Sequence, residues 1–316
     1  MKILFAFVAT LLTVPAVATE RGPAVPDYPA DQVANDAYVI HGPMGYPSPE
    51  NQGFMNNPAF IVTDEGVVVV DPGSSVQTGE MVLRQIRKVT DTPVIAVLNT
   101  HVHGDHWLGN HAFRNADPQV PIYGHPNMLK GVEQGAGEEW VDSMHRSTEG
   151  ATAGTEVRGP NIAVGDGDAV SFGNTTFRFH HPGPAHTTTD IMIEVPEKKV
   201  LFLADNVCNE RIVRMDDGTF RGSVEVIDAA LEIPAEVYVP GHGQTAGVDF
   251  VHAYREYLNG VYTSAEEFYD QGMAPFEMKP MIEERLSRFK DWNGFEDELG
   301  KHISLAVLEV EQAMFE

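Results

Sequence analysis

Asn99-Thr100-His101-Val102-His103-Gly104-Asp105-His106 decides how the rest of this chain is read. Three histidines and an aspartate fall within six residues, directly after the apolar run Pro93-Val94-Ile95-Ala96-Val97-Leu98. A β-branched apolar run of that length reads as a buried strand. The polar cluster therefore starts where a strand stops, the place where open α/β sheets put their chemistry. Neutral imidazole and carboxylate are the ligands that zinc and other borderline divalent metals take.

Composition narrows the classes. The chain has 316 residues, 42% of them hydrophobic, enough for one large core or two fused halves. Its formal charge of −25, from 21 basic and 46 acidic residues, repels phosphate backbones and argues against a nucleic-acid partner. Cys208 is the only cysteine, so an internal disulfide is excluded. At the N-terminus, Lys2 precedes the apolar run Ile3 to Val14, and Ala16-Val17-Ala18 follows. A basic start, a short apolar core and A-x-A make residues 1–18 a secretory signal peptide, too short to span a bilayer comfortably. The expectation is a periplasmic or secreted protein with no membrane attachment after cleavage.

Further along, residues 19–37 read as a leader strap, followed by a short strand at Tyr38-Val39-Ile40. The segment 41–58 is a Pro- and Gly-rich loop that still carries Met44, Tyr46 and Phe54, so it either packs locally or forms a flap. Ala59 to Thr63 and Gly66 to Val70 read as paired strands, the second ending at Asp71. Helical spacing over 77–90 then leads to the strand before the histidines, a strand–helix–strand unit. Residues 126–147 read as an irregular helical region carrying Trp140 and Met144. His111, His125 and His145 fit no ligand spacing and are read as structural.

The second half begins near Asn161. Gly173-Asn174 joins two strands in a hairpin. The strand Val200 to Ala204 ends in Asp205, and Val237-Tyr238-Val239 leads to His242. Each half thus delivers an aspartate and then a histidine from strand ends. A helical tract is expected over Val224 to Ile233. Periodic helices follow at 251–261, from Met281 to Phe289 and from Ile303 to Met314. Arg211 and Arg214 stand after Asp205, either as solvated loop charges or as a site for a substrate carboxylate.

The histidine segment resembles the signature of the metallo-β-lactamase-fold hydrolase superfamily, and the likeness extends over roughly 38–245. It implies an α/β, four-layer αββα sandwich of two similar halves spanning 19–247, with 248–316 as a C-terminal helical extension. It implies that His101, His103 and His186 form one metal site and that Asp105, His106 and His242 form a second. Asp205 bridges the two, and Asp71 orients the histidine loop from behind. Two divalent cations about 3.5–4 Å apart hold a water and lower its pKa towards roughly 7, giving a hydroxide for attack on a carbonyl. Zinc is expected, two ions per chain, with iron or manganese as alternatives.

Details favour particular branches. Redox di-iron relatives carry Glu where His103 stands, so His103 favours hydrolysis. Lactamases of the fold usually carry Cys or Ser at the Asp205 position, so Asp205 resembles the glyoxalase-II and lactonase branches, with Cys208 a bystander. The expectation is an exported di-zinc hydrolase of a small-molecule ester, thioester, lactone or amide. The rivals are a β-lactamase and a non-hydrolytic metal-bearing relay protein of a periplasmic redox system. The C-terminal helices offer a surface through which two copies could associate.

Overall fold

Unbroken apolar runs, whose successive side chains point to opposite faces, build the middle of the first sheet of this computed structural model, which describes residues 21–315. The expected signal peptide lies outside the described residues. The first hairpin is β1 (Asp31–Ala34) and β2 (Ala37–Val39), which places a strand inside the expected leader strap because Gln32 and Ala34 find backbone partners on β2. β3 (Ala59–Val62) and β4 (Val67–Val70) continue antiparallel, with Val62 opposite Val67 across the expected turn. Helix α1 (Val76–Val89) then crosses over to β5 (Val94–Leu98), which runs parallel to β4. Ser75 caps α1 by accepting from the Thr78 amide, and Val76, Met81, Val82 and Ile86 form its buried face. The helices α2 (Gly104–Trp107) and α3 (Asn110–Ala116) and the strand β6 (Ile122–Gly124) follow. After α4 (Pro126–Glu133) and α5 (Ala136–Ser147), β7 (Ile162–Ala163) closes the first sheet, parallel to β6. The second half therefore starts later than Asn161: residues 162–163 pair with the first half, and the sheet order is β1-β2-β3-β4-β5-β6-β7.

The second sheet comprises β8 (Ala169–Phe172), β9 (Thr175–His180), β10 (Met192–Val195), β11 (Val200–Ala204) and β12 (Val237–Pro240), in the order β12-β11-β10-β9-β8. β8 to β11 are antiparallel, and β11 and β12 run parallel. Val68, Val70, Ala96 and Leu98 of the first sheet meet Phe179, Ile193, Val195 and Phe202 of the second in one buried cluster. The opposite face of the first sheet, with Val67, Val69 and Val97, packs under α1 and α3. The alternate residues Leu201 and Leu203 pack under α6 (Phe220–Leu231), α7 (Asp249–Asp270), α8 (Pro275–Arg285) and α9 (Phe295–Ala313). The molecule is thus an αββα sandwich of two similar halves, with α7 to α9 as its helical extension.

Helix bounds depart from expectation: α7 runs on to Asp270 rather than stopping at 261, α9 begins at Phe295 rather than Ile303, and α6 and α8 both start early. α6 starts at Phe220 because Thr219 accepts from the Gly222 amide and the Glu309 carboxylate accepts from the amides of Phe220 and Arg221. α8 starts at Pro275, where the Glu277 side chain accepts from the Ala274 amide, and it ends at Arg285 rather than Phe289. Its apolar pattern misleads because Phe276 is 79% exposed. Among the described residues, no helix is long and apolar enough to cross a membrane.

Candidate metal centre

Parallel pairing brings strand ends to one edge in each half. β4 leads into Asp71 and its partner β5 into His101, while β11 leads into Asp205 and its partner β12 into His242. Both edges turn sharply on a non-glycine residue in the left-handed region: Asp71 at φ 48° and Ala204 at φ 50°. Asn57 stitches the halves together, its side-chain amide donating to the carbonyls of Pro240 and Gly243. Gly241 is required where it stands, since a Cβ there would lie 1.9 Å from Asp205 Oδ1.

All seven residues expected as ligands come together. One donor from each of His101, His103, His186 and Asp205 lies within 4.8 Å of the others, and Asp105, His106 and His242 form a second such group. The Asp205 carboxylate spans both groups. Oδ1 is 3.2 Å from His106 Nε2, while Oδ2 is 3.3 Å from His242 Nε2 and 3.6 Å from His186 Nε2. Asp105 Oδ2 stands 3.3 Å from His242 Nε2 and 3.5 Å from His106 Nε2. His103 Nδ1 faces His186 Nε2 at 2.9 Å.

The far nitrogens show how the rings are held. His106 Nδ1 lies 2.8 Å from Asp71 Oδ2, and the same carboxylate accepts from the Thr100 amide and hydroxyl. His242 Nδ1 donates to the Met55 carbonyl at 2.8 Å. His103 Nε2 lies 3.1 Å from Asp217 Oδ2. Asp71 therefore sits where the sequence expected it, behind the histidine loop. Nothing in the spacing pointed to Asp217, which reaches His103 from 114 residues away on an exposed loop.

The donor chemistry fits divalent cations. Among the described residues, the buried Nε2 of His101 has no hydrogen-bond partner. Burial and neighbouring imidazoles hold His101 well below the usual histidine range and push His186 down to about 3, so both rings are neutral donors. Burial opposes charging of His106, but Asp205, Asp105 and Asp71 outweigh it and raise its pKa well above normal. Asp105 and Asp205 resist burial through the same histidines and stay ionised. Anionic carboxylates and convergent imidazoles are the donor set of a zinc-type site, whose cations would take the place of the imidazole protons. Cys208 lies 3.9 Å from Asp205 Oδ1, but burial and that carboxylate push its thiol well up, so it is a neutral neighbour. His111 accepts from the Glu156 amide, His125 from the Asn127 amide, and His145 is exposed; none joins the cluster.

A pocket of about 260 Å³ opens onto the cluster. Tyr46, Pro47 and Met55 line it from the 41–58 loop, and Trp140 and Met144 from α5. The loop is both packed and a wall: Phe54 is fully buried, while Tyr46 is 41% exposed at the pocket mouth.

Residues 52–242 match the family described as the metallo-beta-lactamase superfamily. The chain belongs to this superfamily. Over 257 residues it is 24% identical to the linear primary-alkylsulfatase of Pseudomonas sp. (strain ATCC 19151), a match covering 69% of this chain and 48% of that protein. It thus spans about half the length of that curated relative. It is 26% identical over 202 residues to a hydroxyacylglutathione hydrolase of Gloeobacter violaceus, covering 62% of this chain and 68% of that one. A solved sec-alkylsulfatase from Pseudomonas sp. superposes with TM-score 0.69 at 16% identity, covering 89% of this chain and 50% of that one. Metallo-beta-lactamase superfamily membership thus agrees with the fold and with the gathered donors.

Proposed function

We propose that the protein is an exported, binuclear, metal-dependent hydrolase of small molecules. On this reading it cleaves an ester, thioester, lactone or amide, and zinc is the expected metal. The observation that carries the proposal is the Asp205 carboxylate facing both donor groups beside a pocket of small-molecule size. His101, His103 and His186 would hold one cation, and Asp105, His106 and His242 the other. When bound, such cations supply Lewis acidity and ease the ionisation of water near neutral pH.

The chain's own residues do the rest. Asp71 fixes His106, and Asp217 fixes His103, so each ring keeps a nitrogen turned to the centre. Tyr46, Met55, Trp140 and Met144 supply an apolar wall that displaces water from a bound substrate. The names of the two curated relatives, an alkylsulfatase and a hydroxyacylglutathione hydrolase, support hydrolysis as the reaction class.

The test is a panel of aryl esters, thioesters, lactones, alkyl sulfates and nitrocefin, run with metal-loaded and chelated protein. Metal-dependent turnover of an acyl substrate is expected. Turnover of nitrocefin alone would make the protein a β-lactamase, and a loaded protein that hydrolyses nothing would be a relay or binding protein. Export predicts that the protein recovered from a bacterial host lies outside the cytoplasm and begins after Ala18, read by intact mass.

A further inference from the structure

The two arginines that follow Asp205 have different surroundings. Arg214 has its Nε 2.8 Å from Asp216 Oδ2, and its side chain is 57% exposed. Its charge is met and solvated. Arg211 lines the same pocket, yet it is only 4% exposed. No carboxylate among the described residues lies within ion-pair distance of it. Among the described residues, its one side-chain contact of hydrogen-bond length is Nη1 to His242 Nδ1 at 3.2 Å. That nitrogen already donates to the Met55 carbonyl, so it has no lone pair to offer. A guanidinium carries five donors, and a buried cation is normally paired.

The chain holds this cation in place from two sides. The amide of Ile212 donates to the Asn293 carbonyl, and the amide of Asn293 to the Glu210 carbonyl, pinning the backbone around Arg211 to the segment before α9. The Tyr46 ring lies over the guanidinium, 6.0 Å from centroid to Cζ. A positioned fork of donors with no carboxylate partner among the described residues, at the wall of the pocket, is shaped for a planar or tetrahedral oxyanion. The same pocket is lined by the apolar side chains of Met55, Trp140, Met144 and Val213.

We propose that this site selects small organic substrates bearing an anionic group, a carboxylate or a sulfate, and that Arg211 receives that group. The proposal rests on the hydrolytic reading of the same pocket. Arg211 sits behind the His242 ring, whose other nitrogen faces the metal cluster, so the anion and the scissile bond belong to the same short stretch of substrate.

Two arms test it on the metal-loaded full chain. The first compares kcat/KM on mono-4-nitrophenyl succinate, which carries a carboxylate, with that on neutral 4-nitrophenyl butyrate. The wild type is expected to favour the succinate. Arg211→Met is expected to lower the succinate-to-butyrate ratio by roughly 10–150-fold, the range for losing a hydrogen bond between charged groups, with Arg211→Lys recovering part of it. The ratio is insensitive to any metal lost from the variant, since both esters need the same centre. The second arm measures binding of butyrate against butyramide by calorimetry. The wild type is expected to bind butyrate alone, and Arg211→Met to lose that binding. A ratio unchanged by Arg211→Met overturns the proposal, as does butyrate binding that is absent from the wild type or undiminished in the variant. If neither ester turns over, the butyrate arm alone decides the anion site, and the hydrolytic reading is decided separately by the wider substrate panel.

Discussion

The Tyr46 hydroxyl donates to Glu298 Oε1 at 2.8 Å, joining the loop at the pocket mouth to α9 across 252 residues of sequence. Lys301 donates to the same oxygen, and Glu298 is only 2% exposed. One turn further along α9, His302 Nε2 donates to the Val213 carbonyl, on the loop that carries Arg211 and Arg214. The helical extension thus grips two of the segments that shape the pocket. Removing one grip should loosen substrate binding more than chemistry.

Tyr46→Phe isolates that grip, because the ring stays and only the hydroxyl goes. The expected loss is about 1.5 kcal/mol, the lower end for a bond to a charged group, read from urea unfolding. KM on the best ester of the panel should rise while kcat changes little. An unaltered KM would mean that packing alone holds the loop.

His302 predicts a pH dependence of stability. Its ring is fully buried and pushed down to about 4 by that burial, with Nδ1 accepting from the Tyr257 hydroxyl. In the unfolded chain it titrates near 6.5. Between pH 6.5 and 4 the unfolded state therefore binds the extra proton, and stability falls as pH falls through that window. At pH 5 the loss from this one group is about 2 kcal/mol relative to pH 7. His302→Gln should flatten the difference between urea midpoints at pH 7 and pH 5, although it is less stable at pH 7. A wild-type slope retained in the variant would assign the effect to other histidines.

Asp71 tests the support behind the donors. Its buried carboxylate accepts from Thr100 twice and faces His106. Asp71→Asn should weaken metal binding in the Asp105–His106–His242 group by about 10–100-fold, measured by chelator competition. Asp217→Asn should weaken the other group less, since Asp217 is 62% exposed and solvent screens it. Equal affinities in wild type and Asp71→Asn would reduce that residue to a turn former.

Asp71, His101, Asp205 and His242 were legible as polar residues just past apolar strands, whereas His186, in the loop between β9 and β10, came only with the family resemblance. Val67 to Val70 and Val200 to Ala204 are unbroken apolar runs, and a strand's end fixes where the next polar side chain emerges. The parallel pairing of β5 with β4, and of β12 with β11, then gathers Asp71 with His101, and Asp205 with His242. Asp217, Glu298 and Tyr46 were not legible. Each acts on a residue more than a hundred positions away, and an exposed aspartate or a helical glutamate looks the same in sequence whether or not it has such a partner. The start of α6 was missed for the same reason, because Glu309 supplies part of its cap from α9.

Metal removal is the most direct test of the centre. Without cations, two ionised carboxylates and several imidazoles are packed together, so binding should favour the folded chain strongly. A cation at a hundred times its Kd adds about 2.7 kcal/mol per site. For a protein of this size, chelation should then lower Tm by about 4 °C per site emptied. Loaded wild type is expected to hold about two metals per chain by elemental analysis. Asp105→Ala should keep one, because its carboxylate faces only His106 and His242 in the second group. Asp205→Ala should keep less than one, because its two oxygens face both groups. A variant at Asp205 that retained both ions would show that the groups bind independently, and the joint centre on which the hydrolytic proposal depends would be lost.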